Sequence, residues 1–355
     1  MPDSAAKAAY ADVADRLERA TALPRTAFAD PAVFAAEVEQ VLKAGWLPVA
    51  RESALAQPGD YRAVDLLDTP LVATRDADGQ LHVLSRVCRH RGMPVVEGEG
   101  NAKALTCPYH LWRYGLDGRL AAAPGMEQST LFDREQCRLP AVRTDRWGGW
   151  LFANLDGTAA PLAPQLTALE ARLADVDPAS LVTADIIDLD SPWNWKLMVE
   201  NFLESYHHIG PHAASLQQTN PGLGTWVRDT GALSTVLENP PVDGDHPPFV
   251  VAAIFPLTLM FFTEGPARLG VWYELDRITH QAFRLRIHLL ADPQIAAVPE
   301  FVAEYRAQVL AVHNEDIPAC EGVQQGVLSP LYTPGPLSHL EAALWRFHRY
   351  LQARM

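Results

Sequence analysis

Residues 87–120 read VCRHRGMPVVEGEGNAKALTCPYHLWRYGLDGRL and contain two short Cys-His pairs, Cys88-x-His90 and Cys107-x-x-His110. Thiolates and imidazoles at such short separations converge on one centre only if tight turns present them, and the glycines and proline in this stretch supply that turn chemistry. The spacing therefore predicts a metal centre with two Cys-His pairs. Tetrahedral zinc would accept this ligand set, and so would a two-iron cluster with two thiolates on one iron and two imidazoles on the other. The spacing alone leaves both metals open.

The chain around this stretch predicts a small all-β domain over residues 46–156. Short apolar segments alternate there with Gly, Pro and Asp, and residues 71–85, LVATRDADGQLHVLS, have the pattern of a hairpin. Helical patterns near 5–20 and 30–45 precede this domain. We expect the segment 1–45 to pack on the domain that follows the all-β one.

A second domain is predicted over residues 157–355. It begins with a Pro-containing linker around one short helix up to residue 180. Then come a strand near 183–189, a helix near 195–209, several strands between 233 and 290, and a helical segment from Pro299 onward. The uncharged run from Pro247 to Thr263 contains three prolines and many β-branched residues, so it predicts two buried strands and no membrane span. Strands and helices in separate runs indicate the α+β class.

Composition excludes several classes of function. The 355 residues carry 29 Lys+Arg against 43 Asp+Glu, a net charge of −14, which disfavours nucleic acid and anionic membrane as partners. The first twenty residues lack the apolar core of a secretory signal. Four cysteines are too few for a disulfide scaffold in a chain of this length. We therefore expect a reducing compartment and a cytoplasmic protein.

The first motif resembles the Rieske [2Fe-2S] domain of the mononuclear non-haem iron oxygenases, the aromatic-ring-hydroxylating and demethylating alpha subunits. The resemblance lies in CRHRG followed by CPYHLWRYGLDGRL. It implies that Cys88 and Cys107 bind one iron of the cluster, while His90 and His110 bind the other. Many relatives carry Gly where this chain has Leu111, a departure that leaves the four ligands intact and concerns only the local backbone conformation.

A second group of candidate ligands lies in SPWNWKLMVENFLESYHHIGPH, residues 191–212. We expect one helix, opened near Ser191-Pro192 and closed by Gly210-Pro211, to carry Glu204 and His207. His207 and His212 are five residues apart, so on an unbroken helix their rings would diverge by about 140°. The Gly-Pro break lets the chain turn back and bring them together. The rival pair His208 and His212 has helical spacing, but Pro211 lies inside that turn.

The same oxygenase family carries N-W-K, then E-N, then an acid-x-x-His-x-x-x-x-His, and this chain has each part in that order. The resemblance implies that His207 and His212 are two members of a two-histidine, one-carboxylate set that binds Fe(II) with open positions for O₂ and substrate. It also implies that Glu204, where many relatives have Asp, bridges the two metal centres across a subunit interface in a head-to-tail homotrimer.

The third iron ligand is sought in VHNEDIPACEGVQQG, which resembles a late E-D segment of the family. Asp316 is the predicted ligand, with Glu315 and Glu321 as competitors. Pro318 removes a helix hydrogen bond and is expected to kink the chain, which could turn one carboxylate inward.

The resemblance implies a terminal oxygenase that hydroxylates or demethylates a small organic substrate with O₂. No nicotinamide-binding fingerprint is present, so electrons from NAD(P)H would arrive through a reductase, directly or through a ferredoxin. Two alternatives, a zinc-stabilised binding module and a Rieske electron carrier, leave the second motif unused. Candidates for an aromatic or cation–π substrate pocket are Phe202, Tyr206, Trp226, Phe255, Phe262 and Trp272.

Overall fold

A computed structural model describes residues 2–355 of the chain. These residues form two compact units, one made of Trp46–Leu162 and the other of the chain up to Gly45 together with Ala163–Met355. The second unit is therefore assembled from two separate stretches of sequence, and the first is inserted between them.

The contiguous unit is built almost entirely from short antiparallel strands. They are β1 (Leu47–Arg51), β2 (Asp60–Leu66), β3 (Thr69–Arg75), β4 (Leu81–Ser85), β5 (Glu99–Asn101), β6 (Leu105–Thr106), β7 (Arg113–Tyr114), β8 (Leu120–Ala122), β9 (Arg143–Trp147) and β10 (Trp150–Asn154). Three sheets result, with orders β1-β10-β9, β4-β3-β2-β5 and β6-β7-β8. The predicted hairpin is confirmed, because β3 and β4 pair with Leu71 opposite Ser85.

The discontinuous unit contains nine α-helices among the described residues. They are α1 (Pro2–Tyr10), α2 (Arg25–Ala29), α3 (Pro31–Glu37), α4 (Thr167–Arg172), α5 (Trp195–Phe202), α6 (Leu216–Thr219), α7 (Pro293–Ala296), α8 (Pro299–Leu328) and α9 (Ala342–Gln352). None of the helices within residues 2–355 is both long enough and apolar enough to cross a membrane.

One seven-stranded antiparallel sheet forms the centre of this unit. Its strands are β11 (Val182–Ser191), β12 (Trp226–Asp229), β13 (Ser234–Asn239), β14 (Phe249–Ile254), β15 (Thr258–Thr263), β16 (Leu269–Asp276) and β17 (Phe283–Ala291). The order is β11-β17-β16-β15-β14-β13-β12. The predicted α+β class is confirmed, and β14 and β15 are the two buried strands expected in the uncharged run.

Two helix predictions differ from the structure. The helix predicted near 5–20 ends at Tyr10, whereas the one predicted near 30–45 is present as α3 and a π-helical turn at Val38–Leu42. The helical segment predicted from Pro299 onward is also present as α8, which contains Pro318 and continues to Leu328. The second difference, at α5, concerns the candidate site and is described with it.

The N-W-K sequence anchors α5 to the N-terminal segment through a buried ion pair. Asn194 caps the helix by accepting a hydrogen bond from the backbone N–H of Lys196 at 3.0 Å. The fully buried carboxylate of Glu37 accepts hydrogen bonds from Lys196 Nζ at 2.9 Å, from Trp195 Nε1 at 3.1 Å and from the Tyr10 hydroxyl. Because three donors meet one carboxylate, the start of α5 has a fixed position relative to α1 and α3.

Candidate functional site

Two loops of the contiguous unit have the same backbone hydrogen-bond pattern around their cysteines. In the first loop, Gly92 N–H donates to Cys88 O at 3.0 Å, and Cys88 N–H donates to Met93 O at 2.9 Å. In the second, Leu111 N–H donates to Cys107 O at 3.0 Å, and Cys107 N–H donates to the carbonyl five residues on at 2.8 Å. Each loop therefore holds its cysteine in an equivalent backbone turn, with the histidine two residues on in the first loop and three residues on in the second.

Gly92 and Leu111 occupy equivalent positions in these loops, and both have positive φ, +80° and +58°. The left-handed conformation favours glycine, because a Cβ atom there approaches the following carbonyl oxygen. Leu111 adopts it while 62% of the side chain is exposed. The structure thus shows that Leu111 takes the left-handed backbone conformation that glycine has at the equivalent position of the other loop.

The four side chains of the two loops form a donor set with buried sulfurs and half-buried imidazoles. Cys88 and Cys107 belong to the hydrophobic core of the unit, while the Nδ1 atoms of His90 and His110 face each other at 3.1 Å. The Tyr114 hydroxyl lies 3.3 Å from Cys88 Sγ. Two thiols on the protein side and two converging imidazoles on the outer side suit a Rieske-type cluster, whose two irons take different ligands.

A second donor set lies in the discontinuous unit, where His207, His212 and Asp316 converge. One ligand atom from each residue lies within 4.8 Å of the others. Asp316 Oδ1 is 3.4 Å from His207 Nε2 and 3.1 Å from His212 Nε2. Two imidazoles and one carboxylate on one side of a centre form the facial arrangement that suits Fe(II) and leaves other coordination positions open.

Each of these two imidazoles is held by a second carboxylate on its other nitrogen. His207 Nδ1 donates to Glu204 Oε1 at 2.7 Å, and His212 Nδ1 donates to Glu315 Oε2 at 2.7 Å. Ser215 Oγ also donates to Glu315 Oε2, at 2.5 Å. Because Glu204 and Glu315 hold the Nδ1 atoms, both Nε2 atoms face Asp316 and the shared centre, where they are the ring atoms placed to bind a metal.

The pKa values of these side chains are shifted by the close contacts between the acids and the imidazoles. Burial alone would raise the pKa of Asp316, but hydrogen bonds from His207 and His212 hold it well below its usual range. Burial alone would lower the pKa of His207, whereas Asp316 and Glu204 raise it to about 10. Such an arrangement of negative oxygens around two imidazoles favours a bound cation.

The single helix predicted for Glu204 and the histidines is wrong. α5 ends at Phe202, and His207 and His208 lie on a separate 3₁₀ turn, Tyr206–Ile209. Glu204 lies between the two elements, where its carboxylate accepts the backbone N–H of His207 at 2.9 Å. Glu204 therefore holds both the backbone and the ring of His207 in place.

A close backbone approach fixes this turn, and sequence reasoning missed it. A Cβ atom on Gly222 would lie 2.0 Å from Ser205 O and 3.3 Å from His208 Cβ, so only glycine fits there. The short turn G-L-G at Gly222–Gly224 was the available signal.

Other candidate residues do not belong to the convergent group. His208 donates from Nδ1 to Asn220 O at 3.0 Å, and burial lowers its pKa to about 4. Glu321 is exposed on α8. Of the six aromatic candidates, Phe202 lines the cavity described next, whereas the other five do not.

A cavity of about 240 Å³ lies between α8 and the central sheet, and Asp316 and the two histidines are part of its wall. Alternate residues of three strands face it, namely Phe249, Val251, Phe261, Thr263, Leu269, Val271 and Tyr273. Side chains alternate between the two faces of a strand, so Phe261 and Tyr273 face the cavity while their neighbours Phe262 and Trp272 are buried without lining it. Phe262 and Trp272, the two aromatic candidates in these strands, are thus each one residue away from the aromatic side chain that lines the cavity.

Comparison with known families gives two matches. Residues 45–142 match the Rieske [2Fe-2S] domain, and residues 179–280 and 235–355 match the ring hydroxylating alpha subunit catalytic domain. Each match contains one of the two donor sets.

Two curated relatives share about a third of their aligned residues with this chain. The carnitine monooxygenase oxygenase subunit of Escherichia coli strain K12 is 36% identical over 197 residues, which cover 55% of this chain and 52% of that protein. The glycine betaine monooxygenase oxygenase subunit of Chromohalobacter salexigens is 34% identical over 212 residues, which cover 59% and 47%. The chain therefore spans about half the length of these curated relatives.

One solved structure has the same fold over nearly the whole length. A quaternary ammonium Rieske monooxygenase in complex with an inhibitor matches with a TM-score of 0.85 at 24% identity, over 98% of both chains.

Proposed function

Because the chain belongs to the family of Rieske-type mononuclear non-haem iron oxygenases, we propose that it is the terminal oxygenase component of an electron-transfer system that hydroxylates or oxidatively demethylates a small organic substrate. The observation that carries this proposal is the convergence of His207, His212 and Asp316 at the wall of an apolar cavity. A site that activates O₂ needs an open facial ligand set beside a space for substrate, and this cavity offers both.

In this proposal Cys88, His90, Cys107 and His110 hold the [2Fe-2S] cluster. The matched backbone of the two loops and the separation of buried sulfurs from half-buried imidazoles support the assignment. The half-buried histidines give electrons an exit at the surface, and neutral imidazoles raise the reduction potential above that of an all-cysteine cluster.

His207, His212 and Asp316 hold the mononuclear iron. When bound there, iron activates O₂ so that one oxygen atom enters the substrate and the other leaves as water, with two electrons and two protons consumed. Glu204 and Glu315 keep each imidazole in the tautomer that presents Nε2 to the metal. The apolar wall keeps water away from the reacting atoms.

The proposed substrate is an N-methylated ammonium compound. The two curated relatives act on carnitine and on glycine betaine, by their names, and both compounds carry a methylated ammonium group. In this chain, Phe202 and Tyr273 pack with ring centroids 4.9 Å apart, and both line the cavity beside the donor set. Aromatic faces attract cations of this kind, which supports the assignment.

Electrons are proposed to come from NAD(P)H through a separate reductase, directly or through a ferredoxin. The net charge of −14 favours a partner that docks with a basic surface. None of the four cysteines is in a disulfide, which suits the reducing environment of the cytoplasm.

The proposed assembly is a head-to-tail homotrimer in which Glu204 connects the cluster of one copy to the iron of the next. Exposed apolar side chains support a contact between copies, because they flank both donor sets: Tyr109 and Leu111 in one unit, Tyr206 and Ile209 in the other. A contact of this heterologous type closes into a ring when the rotation permits.

Metal analysis combined with variants tests the proposal. We expect about three irons per chain, a brown colour, and a Rieske-type electron paramagnetic resonance signal after reduction. His207→Ala should lose one iron and all turnover while the cluster spectrum is kept; Cys107→Ala should lose the cluster signal. A colourless protein containing only zinc would contradict the proposal. Fully active protein with only two irons per chain would contradict the proposed mononuclear site.

A further inference from the structure

The walls of the cavity beside the donor set are mainly aliphatic and aromatic. On the sheet side they come from alternate positions of β14, β15 and β16, and on the helix side from Val309 and Val312 of α8, which are three residues apart and so share one helix face. At about 240 Å³ the cavity exceeds the roughly 150 Å³ that holds a benzene molecule. It can therefore hold a substituent at least as large as a phenyl ring.

Most polar groups of the wall already donate their hydrogens to protein oxygens. The Tyr305 hydroxyl donates to Gly270 O at 2.8 Å, and Ser205 Oγ donates to Asn239 Oδ1 at 2.6 Å. Thr263 Oγ1 donates to a backbone carbonyl at 3.2 Å.

The same holds on the metal side of the cavity, where Asn201 Nδ2 donates to Asp316 Oδ1 at 3.2 Å and His208 Nδ1 donates to a backbone carbonyl at 3.0 Å. The two acids of the wall, Glu204 and Asp316, are both in contact with imidazoles of the donor set. The cavity thus offers a ligand mainly apolar surface and aromatic faces, with the Tyr273 hydroxyl and the Gln308 amide as its few remaining donors.

We expect this cavity to bind an apolar group more tightly than a carboxylate. A carboxylate entering it would lose most of its water and would meet mainly carbon atoms, with few donors to replace that water, which is unfavourable. An alkyl or aryl group of the same size would gain by leaving water.

We propose that the substrate is an N-methylated ammonium compound whose remaining substituent is an apolar alkyl or aryl group without a carboxylate. The methylated end rests on the proposed function, whereas the apolar end rests on the wall of this cavity. The inference separates this chain from its relatives, because carnitine and glycine betaine both carry a carboxylate.

Binding and turnover of matched ammonium compounds test this inference. Isothermal titration calorimetry on the anaerobic, metal-loaded protein would compare benzyltrimethylammonium with glycine betaine, which share the trimethylammonium end. We expect benzyltrimethylammonium to bind at least tenfold more tightly, and formaldehyde release with a surrogate reductase to follow the same order. Equal or tighter binding of glycine betaine would overturn the inference.

A charge placed in the wall provides a second test with a matched control. Val309 is half-buried on the helix side, so Val309→Lys adds a donor while Val309→Met adds similar bulk without charge. The Lys variant should tighten glycine betaine binding relative to the Met variant by tenfold or more. Gln308→Lys, at the exposed neighbouring wall position, serves if Val309→Lys does not fold. Unchanged betaine affinity in a folded Lys variant would contradict the inference.

The two proposals fail in different ways. Formaldehyde release that is faster with glycine betaine overturns the carboxylate-free substituent and leaves the proposed function intact. Tight binding of benzyltrimethylammonium with no formaldehyde from any N-methyl compound supports the apolar site and overturns the proposed demethylation.

Discussion

Two carboxylates that follow each other in the chain have different tasks at the mononuclear site. Asp316 faces both Nε2 atoms, whereas Glu315 reaches the opposite nitrogen of His212 and also receives Ser215 Oγ. The longer Glu side chain allows two neighbouring helix residues, about 100° apart around the axis, to contact the same imidazole. The sequence left the choice between them open, because both the residue type and the spacing suit a ligand.

We expect Glu315→Gln to weaken Fe(II) binding by about 10–100-fold, because His212 loses the negative partner that fixes its tautomer and raises its basicity. Asp316→Asn should abolish mononuclear iron. Glu321→Gln, at an exposed position of the same helix, is the matched control and should bind iron as the wild type does. Iron content after dialysis against a chelator, read beside the cluster absorbance, checks all three variants. If Asp316→Asn kept its full iron content and Glu315→Gln lost its mononuclear iron, Glu315 would be the iron ligand in place of Asp316.

Backbone strain at Leu111 gives a second prediction at this scale. Leu111→Gly should raise the free energy of unfolding of its unit by about 0.5–1 kcal/mol, because the left-handed conformation costs a leucine more than a glycine and the side chain is mostly exposed. Gly92→Ala, at the equivalent position of the other loop, should lower it by a similar amount. Calorimetric unfolding of the cluster-loaded protein measures both changes. A decrease in stability for Leu111→Gly would refute the strain argument.

Among the secondary-structure elements, α5 is held at both ends by residues that are distant in sequence. Its start is held by Glu37, and its other end by a hydrogen bond from His348 Nε2 in α9 to Glu200 Oε1 at 2.9 Å. The 3₁₀ turn that carries His207, a proposed iron ligand, follows α5 after three residues, so the position of this helix determines where the turn begins.

Breaking the buried ion pair should destabilise the discontinuous unit. Glu37→Gln leaves Lys196 charged and fully buried, so we expect a loss of about 3–5 kcal/mol in the free energy of unfolding. The double variant Glu37→Gln with Lys196→Met should recover much of that loss, since no uncompensated charge remains. Asp243→Asn, which removes an exposed contact to His246, is the control and should leave stability nearly unchanged. Equal unfolding temperatures for Glu37→Gln and the control would contradict this account.

Local patterns predicted some elements and failed for others. Alternation with turn residues predicted the β3–β4 hairpin and the two strands of the uncharged run, because both the period and the turn lie within a few residues. The helix through Glu204 failed for a non-local reason. Gly222 approaches Ser205 so closely that the chain leaves α5 and starts a new turn, and nothing between residues 195 and 209 encodes that contact.

At the scale of the whole molecule, the prediction concerns electron transfer between copies of the chain. In Glu204→Gln, loaded with excess Fe(II) to offset the weaker hold on His207, both metals and the trimer should be retained, since the amide keeps the shape of the carboxylate. Electron transfer from cluster to iron should slow by about tenfold or more, because the amide no longer provides the charge that strengthens hydrogen bonds to imidazole N–H groups. Single-turnover oxidation of the reduced cluster with substrate and O₂ measures this rate.

Analytical ultracentrifugation of the same samples gives the state of assembly. Wild-type oxidation rates in the Gln variant, or full activity in a monomer, would show that Glu204 only orients His207.

The division of one unit into two stretches of sequence sets an order for synthesis on the ribosome. Glu37 is made 159 residues before Lys196, a delay of about 8–30 s at 5–20 residues per second. The synthesis of Trp46–Leu162 is complete before Lys196 is made. The residues that would hold the cluster can therefore fold and be loaded while the Glu37 carboxylate is still in water. Since Asp316 is made later still, the nascent chain can acquire its proposed cluster before the residues of its proposed mononuclear iron site are complete.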